Sequence, residues 1–278
     1  MIMDPDIKSL LYNVLGGIIV SVITALYIAC RYRMKFYHLQ RLLGFKFGPG
    51  TEVRITYGQL LLPPLHDPSN QHITQPYVKL PRQGGALPLQ GSFSMEHPVS
   101  ECEVRASTYI VSLLGLPGSL RSLLVSDIEA SALLDSSFVS FGGPASNYKT
   151  ADILSSTANI FIRMSHAKFP LPSGEELPHT CSRDADHGFV LRITPPEFPD
   201  QSWIVCAGLG EWGTSGSALF LAHKWTILVS QIHPWAYRSG FLSIPDFMAI
   251  IRVVPGQDQS ARIETIYRNS RGHARRVG

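Results

Sequence analysis

One long apolar stretch lies near the start of the chain. Residues Leu10–Ala29 are twenty consecutive positions without a charged side chain. A helix rises about 1.5 Å per residue, so the stretch covers roughly 30 Å, the thickness of the hydrocarbon core of a bilayer. Asp4 and Asp6 precede it, whereas a cleaved signal peptide begins with basic residues. The pattern therefore predicts a short tail at 1–9 and a retained transmembrane helix at 10–30.

Basic residues cluster on one side of this stretch. Lys8 is the one basic residue before it, and five follow it closely: Arg31, Arg33, Lys35, Arg41 and Lys46. Such residues stay on the cytoplasmic side of a membrane. We therefore expect a basic juxtamembrane segment at 31–46 against the lipid bilayer, the N-terminus outside, and the rest of the chain in the cytoplasm. A lipoprotein signal ending at Cys30 is the alternative, although the acidic start argues against it.

The remaining residues divide into two parts by their hydrophobic pattern. Residues 47–103 are rich in Pro and Gly, which predicts a linker with some β structure, for example at Glu52–Gly58. From residue 104 to 278, short apolar runs alternate with segments of helical period, and the tail has the pattern of a β-hairpin. The helices are predicted at 120–134, 145–157 and 214–225, and the strands at 138–141, 159–163, 189–193, 203–207, 247–254 and 261–267. Alternating elements indicate an α/β domain with a mostly parallel sheet and an antiparallel edge.

Composition narrows the class of protein. Charged residues make up 16% of the 278 residues and apolar ones 45%, which excludes a largely disordered chain. The net charge of +3 is local, because it comes from the juxtamembrane cluster and four arginines near the C-terminus. The four cysteines form no CxxC pair, so a reducing compartment is expected. Nucleic-acid binding is not expected, because the basic tail lacks aromatic stacking motifs.

Two glycine turns follow predicted strands and open predicted helices. Gly208–Gly216 fits the pattern G-x-G-x-x-G, in which glycines let backbone amides approach a phosphate at a helix N-terminus. Phe141–Asn147 has the same strand–turn–helix arrangement, so both turns are expected to face one crevice. No acidic residue ends the next apolar run, which argues against a dinucleotide-dependent dehydrogenase. The alternative is that both are structural turns in which Ser146 and Asn147 cap a helix.

These residues suggest a family. The segments GGPASN and CAGLGEWGTSGSALFLAHKW resemble the Rossmann-like nucleotide-sensor domains (SLOG and related classes) of bacterial conflict and signalling systems, over roughly residues 104–235. The resemblance implies a Rossmann-like fold and a nucleotide-type ligand. No cofactor besides such a ligand is predicted. Together with the turn chemistry it gives the predicted ligand contacts: Gly142, Gly143, Ser146, Asn147, Gly208, Gly210, Glu211, Gly213, Thr214 and Ser215.

The function predicted is a single-pass, membrane-anchored sensor that binds a nucleotide-derived ligand and self-associates as a homo-oligomer. One alternative is a membrane-tethered nucleotide hydrolase or glycosidase using Glu211 or Asp152. Another is a protein-interaction or assembly module without catalysis. The polar cluster from His179 to His187 matches no zinc spacing, so it is interpreted as a solvated loop and no metal site is predicted.

Overall fold

A computed structural model describes residues 5–45, 48, 50–59, 99–115, 121–162, 170–174, 182, 184–232 and 244–277. The elements in chain order are α1 (Pro5–Leu43), β1 (Glu52–Tyr57), α2 (Glu101–Gly115), β2 (Arg121–Ser126), α3 (Asp127–Ser131), β3 (Phe138–Phe141), α4 (Tyr148–Ser155), β4 (Asp186–Ile193), β5 (Trp203–Gly208), α5 (Glu211–Ile232), β6 (Phe247–Val254), β7 (Gln257–Ser270) and β8 (His273–Val277).

The first helix joins the apolar stretch to the α/β domain without a break. α1 has 39 residues, which corresponds to a length of about 58 Å. Side chains from Tyr12 to Lys35 are exposed, whereas Leu39, Leu42 and Leu43 are buried in the core. Gly44 ends the helix in a left-handed conformation (φ +73°), and a Cβ there would lie 2.8 Å from the Ser202 side chain. The predicted membrane helix and juxtamembrane segment are therefore one helix whose last turn belongs to the domain.

One mixed sheet of eight strands forms the centre of the domain, in the order β2-β1-β3-β5-β4-β6-β7-β8. β2, β1, β3 and β5 are parallel neighbours, whereas β4, β6, β7 and β8 pair antiparallel. The mixed α/β class and the β6–β7 hairpin are confirmed. The antiparallel part is more extensive than the predicted edge, because β4 lies between β5 and β6 and runs against both.

Helices cover both faces of the sheet. Adjacent residues of a strand point to opposite faces, so Phe138 and Val139 of β3 contribute to two different cores. The first core packs the end of α1, α2 and α5 on one face, and the second packs α3 and α4 on the other. This three-layer arrangement leaves the carboxyl ends of the four parallel strands at one edge of the sheet.

Several sequence predictions differ from the structure. β1 lies in the segment interpreted as a linker, but it pairs with β2 and β3 and its Val53 and Ile55 are fully buried. The helix predicted over 120–134 is wrong: residues 121–126 form β2, and α3 begins at Asp127. In place of the strand predicted at 159–163, the described residues 159–162 form no regular element.

Candidate functional site

The two glycine turns lie side by side. β3 and β5 are parallel neighbours, with Phe141 opposite Cys206, so the turns that follow them emerge at the same edge. Gly142 begins the turn into α4 and Leu209 the turn into α5. This juxtaposition, at the carboxyl ends of parallel strands, is the place where open α/β sheets bind ligands.

The turn after β3 is fixed by its own side chains. Asn147 is the N-cap of α4: its Oδ1 accepts from the Thr150 amide (3.0 Å) and its Nδ2 donates to the Phe141 carbonyl (2.9 Å). The Ser146 hydroxyl donates to the Gly143 carbonyl (3.0 Å). Gly142 has φ +78°, and a Cβ there would lie 2.4 Å from Oε1 of Glu103. Gly143 differs, because a Cβ there would meet nothing within 4 Å.

The turn after β5 is packed against β4. A Cβ on Gly208 would lie 2.4 Å from the Thr214 nitrogen, and one on Gly213 would lie 2.3 Å from the His187 carbonyl oxygen. These glycines allow α5 to approach the sheet closely, which is a role that the fingerprint glycines have in dinucleotide-binding folds.

An internal carboxylate occupies the N-terminus of α5. Asp186, at the start of β4, is fully buried, and its Oδ1 accepts from the Gly210 amide (3.1 Å) and its Oδ2 from the Gly213 amide (2.7 Å). A helix N-terminus stabilises an anion through such amides and the helix dipole. The chain itself therefore supplies the anion at this turn.

The hydroxyls predicted near this turn are also buried. Thr214 is 3% exposed and Ser215 0%, and the Ser215 hydroxyl donates to Oδ1 of Asp258 on β7 (2.7 Å). Glu211 is exposed, and the half-buried Trp212 ring lies 4.3 Å beneath the Arg105 guanidinium. On the accessible surface of this turn lie Gly208, Leu209, Gly210 and Glu211.

Two further buried carboxylates hold backbone amides at the same edge. Glu103 of α2 accepts from the Gly58 amide after β1 (2.7 Å) and is 3% exposed. Asp127 accepts from the Gln59 amide (2.9 Å) and from the Tyr148 amide at the start of α4 (2.8 Å). Burial, opposed by the Gly58 hydrogen bond and assisted by the charge of Asp127, raises the pKa of Glu103 to about 7. Glu103 is therefore near its titration point at neutral pH.

A chain of hydroxyls connects the elements beneath this edge. The Thr56 hydroxyl donates to Oγ of Ser140 (2.8 Å), and the Ser140 and Thr150 hydroxyls are 2.8 Å apart. Ser140 also donates to Oδ1 of Asn147 (3.3 Å). Since Thr56, Ser140 and Thr150 belong to β1, β3 and α4, this network fixes the two strands relative to the turn.

The catalytic candidates of the sequence are exposed, whereas these carboxylates are buried. Asp152 is exposed on α4. Burial lowers the pKa of Lys149 on the same helix, and the charge of Asp152 opposes this lowering. Glu211 is exposed at the start of α5. Sequence reasoning missed Glu103, Asp127 and Asp186, because each contacts amides far away in the chain.

The interpretation of residues 179–187 as a solvated loop is wrong for Asp186 and His187, which are buried; His179 and Cys181 lie outside the described residues.

The first helix has the length and the apolar composition that a membrane span requires. α1 is long and apolar enough to cross a bilayer between Tyr12 and Leu43, and none of its most apolar window is buried against the domain.

Comparison of the chain with protein-family models, with curated proteins and with solved structures gives no match.

Proposed function

We propose that this chain is a single-pass membrane protein whose α/β domain is a Rossmann-like sensor of a nucleotide-derived ligand. One observation carries the proposal: the glycine turns after β3 and β5 lie side by side at the carboxyl edge of parallel strands. The exposed apolar helix supports membrane anchoring, and the basic residues after it support a cytoplasmic domain. Self-association is part of the proposal, since the bilayer confines the copies to two dimensions.

The two turns are proposed to have different roles. Asp186 already occupies the amides at the start of α5, so a ligand phosphate there would meet a like charge. The turn at Gly143 is open, and the amides of Gly143 and Ala145 have no hydrogen-bond partner among the described residues. We therefore place the phosphate against Gly143 and Ala145 and the nucleoside towards Leu209 and Glu211.

A ligand screen with a matched glycine pair tests this proposal. The full chain in detergent micelles is heated with nucleosides, mononucleotides, dinucleotides and cyclic nucleotides, and a bound ligand raises the melting temperature. Gly143→Val is expected to abolish the shift without lowering the melting temperature of the free protein, because Gly143 has an ordinary φ and open space around it. Gly115→Val, at another open glycine at the end of α2, is the control and should keep the shift. Lack of a shift with every nucleotide, or a shift that survives in Gly143→Val, contradicts the proposal.

A nucleotide hydrolase or glycosidase is the second candidate. The observation that favours it is the raised pKa of Glu103 beside Asp127, since a carboxyl group that titrates near neutral pH is suited to proton transfer. Chromatography of the nucleotides after incubation distinguishes the two functions. Turnover that is lost in Glu103→Gln supports the hydrolase, whereas a melting-temperature shift without turnover supports the sensor.

A further inference from the structure

A cleft lies between α1 and α5 where the predicted membrane span ends. It has a volume of about 670 Å³, within the usual range of ligand sites. One side is the face of α1 that carries Tyr27, Arg31, Lys35 and His38, and the other side is Trp225 and Thr226 of α5.

The break in α5 positions this second side. Lys224 has non-helical angles (φ −116°, ψ 16°), so α5 consists of two helical pieces joined at this residue. The Lys224 ammonium donates to the Gln259 carbonyl (2.9 Å) and the Ala261 carbonyl (2.6 Å) of β7, which holds the break in place. Trp225, the next residue, is 4% exposed and forms part of the cleft wall.

Among the described residues, the two cations of the cleft have no partner of opposite charge. Arg31 and Lys35 are four residues apart, so they lie on one face of the helix. Both are exposed, and among the described residues neither forms an ion pair or a hydrogen bond. Such unpaired cations favour an anionic ligand, and a phosphodiester matches the planar donors of an arginine.

The position of the cleft along the membrane normal indicates the source of this anion. Arg31 and Lys35 follow the span that ends at residue 30, so they lie roughly 2–8 Å beyond the hydrocarbon core along the helix axis. The headgroup layer extends about 5–8 Å on each side of that core. Tyr27 and Ile28, which also line the cleft, lie at the end of the apolar span, where acyl chains begin.

We infer that this cleft binds one anionic phospholipid of the leaflet at which α1 leaves the membrane. Arg31 and Lys35 bind the phosphate, Tyr27 and Ile28 contact the first acyl carbons, and Trp225 closes the cleft on the side of the domain. The inference depends on the proposed membrane anchoring. It adds a specific lipid site that ties α5, and through its first turn the glycine turns after β3 and β5, to the composition of the membrane.

Lipid retention by matched charge variants tests the inference. The full chain is purified from phosphatidylcholine nanodiscs with or without phosphatidylglycerol, transferred to detergent, and its retained lipids are identified by native mass spectrometry. The wild type is expected to retain one phosphatidylglycerol with roughly thirtyfold preference over phosphatidylcholine, since two cations contribute. Arg31→Gln combined with Lys35→Gln should remove the preference. Arg33→Gln combined with Arg41→Gln removes the same charge from outside the cleft lining and should keep it.

Three results would overturn the lipid site: equal retention of both lipids by the wild type, equal loss of preference in the two double variants, or full displacement of phosphatidylglycerol by soluble glycerol phosphate.

If the charge variants misfold, quenching of the wild-type tryptophan fluorescence by bromine-labelled phosphatidylglycerol replaces them. Trp225→Phe must then remove a quenched component, and an unchanged quenching profile contradicts the inference. Alkaline carbonate extraction separates the two proposals, because release of the wild type from membranes refutes the anchor itself, whereas an anchored chain without lipid preference refutes only the site.

Discussion

At the scale of single residues, Glu103 makes stability depend on pH. Burial raises its pKa from an ordinary 4.5 to about 7, so the folded protein binds this proton more tightly than the unfolded chain does. The stability that Glu103 contributes is therefore greatest below about pH 4.5 and falls as the pH rises to about 7. Ionisation of this side chain costs the fold about 3 kcal/mol above that range.

Glu103→Gln is expected to remove this pH dependence. The amide stays neutral and keeps an oxygen for the Gly58 amide, so the variant should be more stable than the wild type at about pH 8 and similar to it at about pH 5. Denaturant unfolding of the full chain in detergent, followed by tryptophan fluorescence, measures the difference. Glu101→Gln on the same helix is the control, because that side chain is 81% exposed. A constant difference between wild type and Glu103→Gln across this pH range would contradict the raised pKa.

At the scale of elements, the start of α5 depends on a carboxylate from another strand. Loss of the Asp186 side chain leaves the Gly210 and Gly213 amides without their acceptors, and Gly213 is buried. Asp186→Ala should therefore destabilise the domain by about 3 kcal/mol, and Asp186→Asn, which keeps one acceptor oxygen, by less.

The amides that Asp186→Ala vacates at the N-terminus of α5 form an anion site. Millimolar sulfate or phosphate should then stabilise Asp186→Ala more than the wild type in thermal unfolding. An equal response of both proteins to the anion would show that Asp186 does not occupy an anion site.

The same element shows what the sequence could and could not predict. The pattern Gly208–Gly216 after an apolar strand predicts the strand, the turn and the helix, because all three depend on residues close in the chain. The carboxylate that occupies this turn, Asp186, is 24 residues away from Gly210 in the chain and lies on β4, which runs antiparallel to β5. No local pattern encodes that pairing, so the glycines alone suggested a free phosphate site.

The segment at 120–134 illustrates the opposite case, in which tertiary contacts override a local period. Its leucines have helical spacing, yet residues 121–126 pair along their whole length with β1. The Ser126 hydroxyl then accepts from the Glu129 amide (3.2 Å) and starts α3, as an N-cap does. Apolar spacing over such a short segment fits both states, and pairing with a neighbouring strand decides between them.

At the scale of the whole molecule, the apolar helix and the α/β domain form one continuous structure. Leu39, Leu42 and Phe45 belong to the core that α2 and α5 share, so the domain cannot be separated from the helix at residue 47 without loss of core side chains. This continuity was not evident from the sequence, in which basic residues and prolines suggest a linker. A change at the glycine turns after β3 and β5 therefore has a packed route through α5 to the apolar helix α1.

We expect the charges beside the apolar stretch to set the orientation of the whole molecule. Five basic residues lie after the apolar stretch and one before it, and moving a positive charge outward against the membrane potential costs about 2.3 kcal/mol per 100 mV. We therefore expect a fluorescent protein fused after Gly278 to be bright in a bacterial host, and alkaline phosphatase fused at the same position to be inactive. Replacing Arg31, Arg33 and Lys35 by Glu should reduce this bias and give measurable phosphatase activity, whereas the same number of substitutions at the distant Arg271, Arg275 and Arg276 should not. An active phosphatase on the unaltered chain would place the two glycine turns outside the cytoplasm, where nucleotides are scarce, and would contradict the proposed sensor together with the topology.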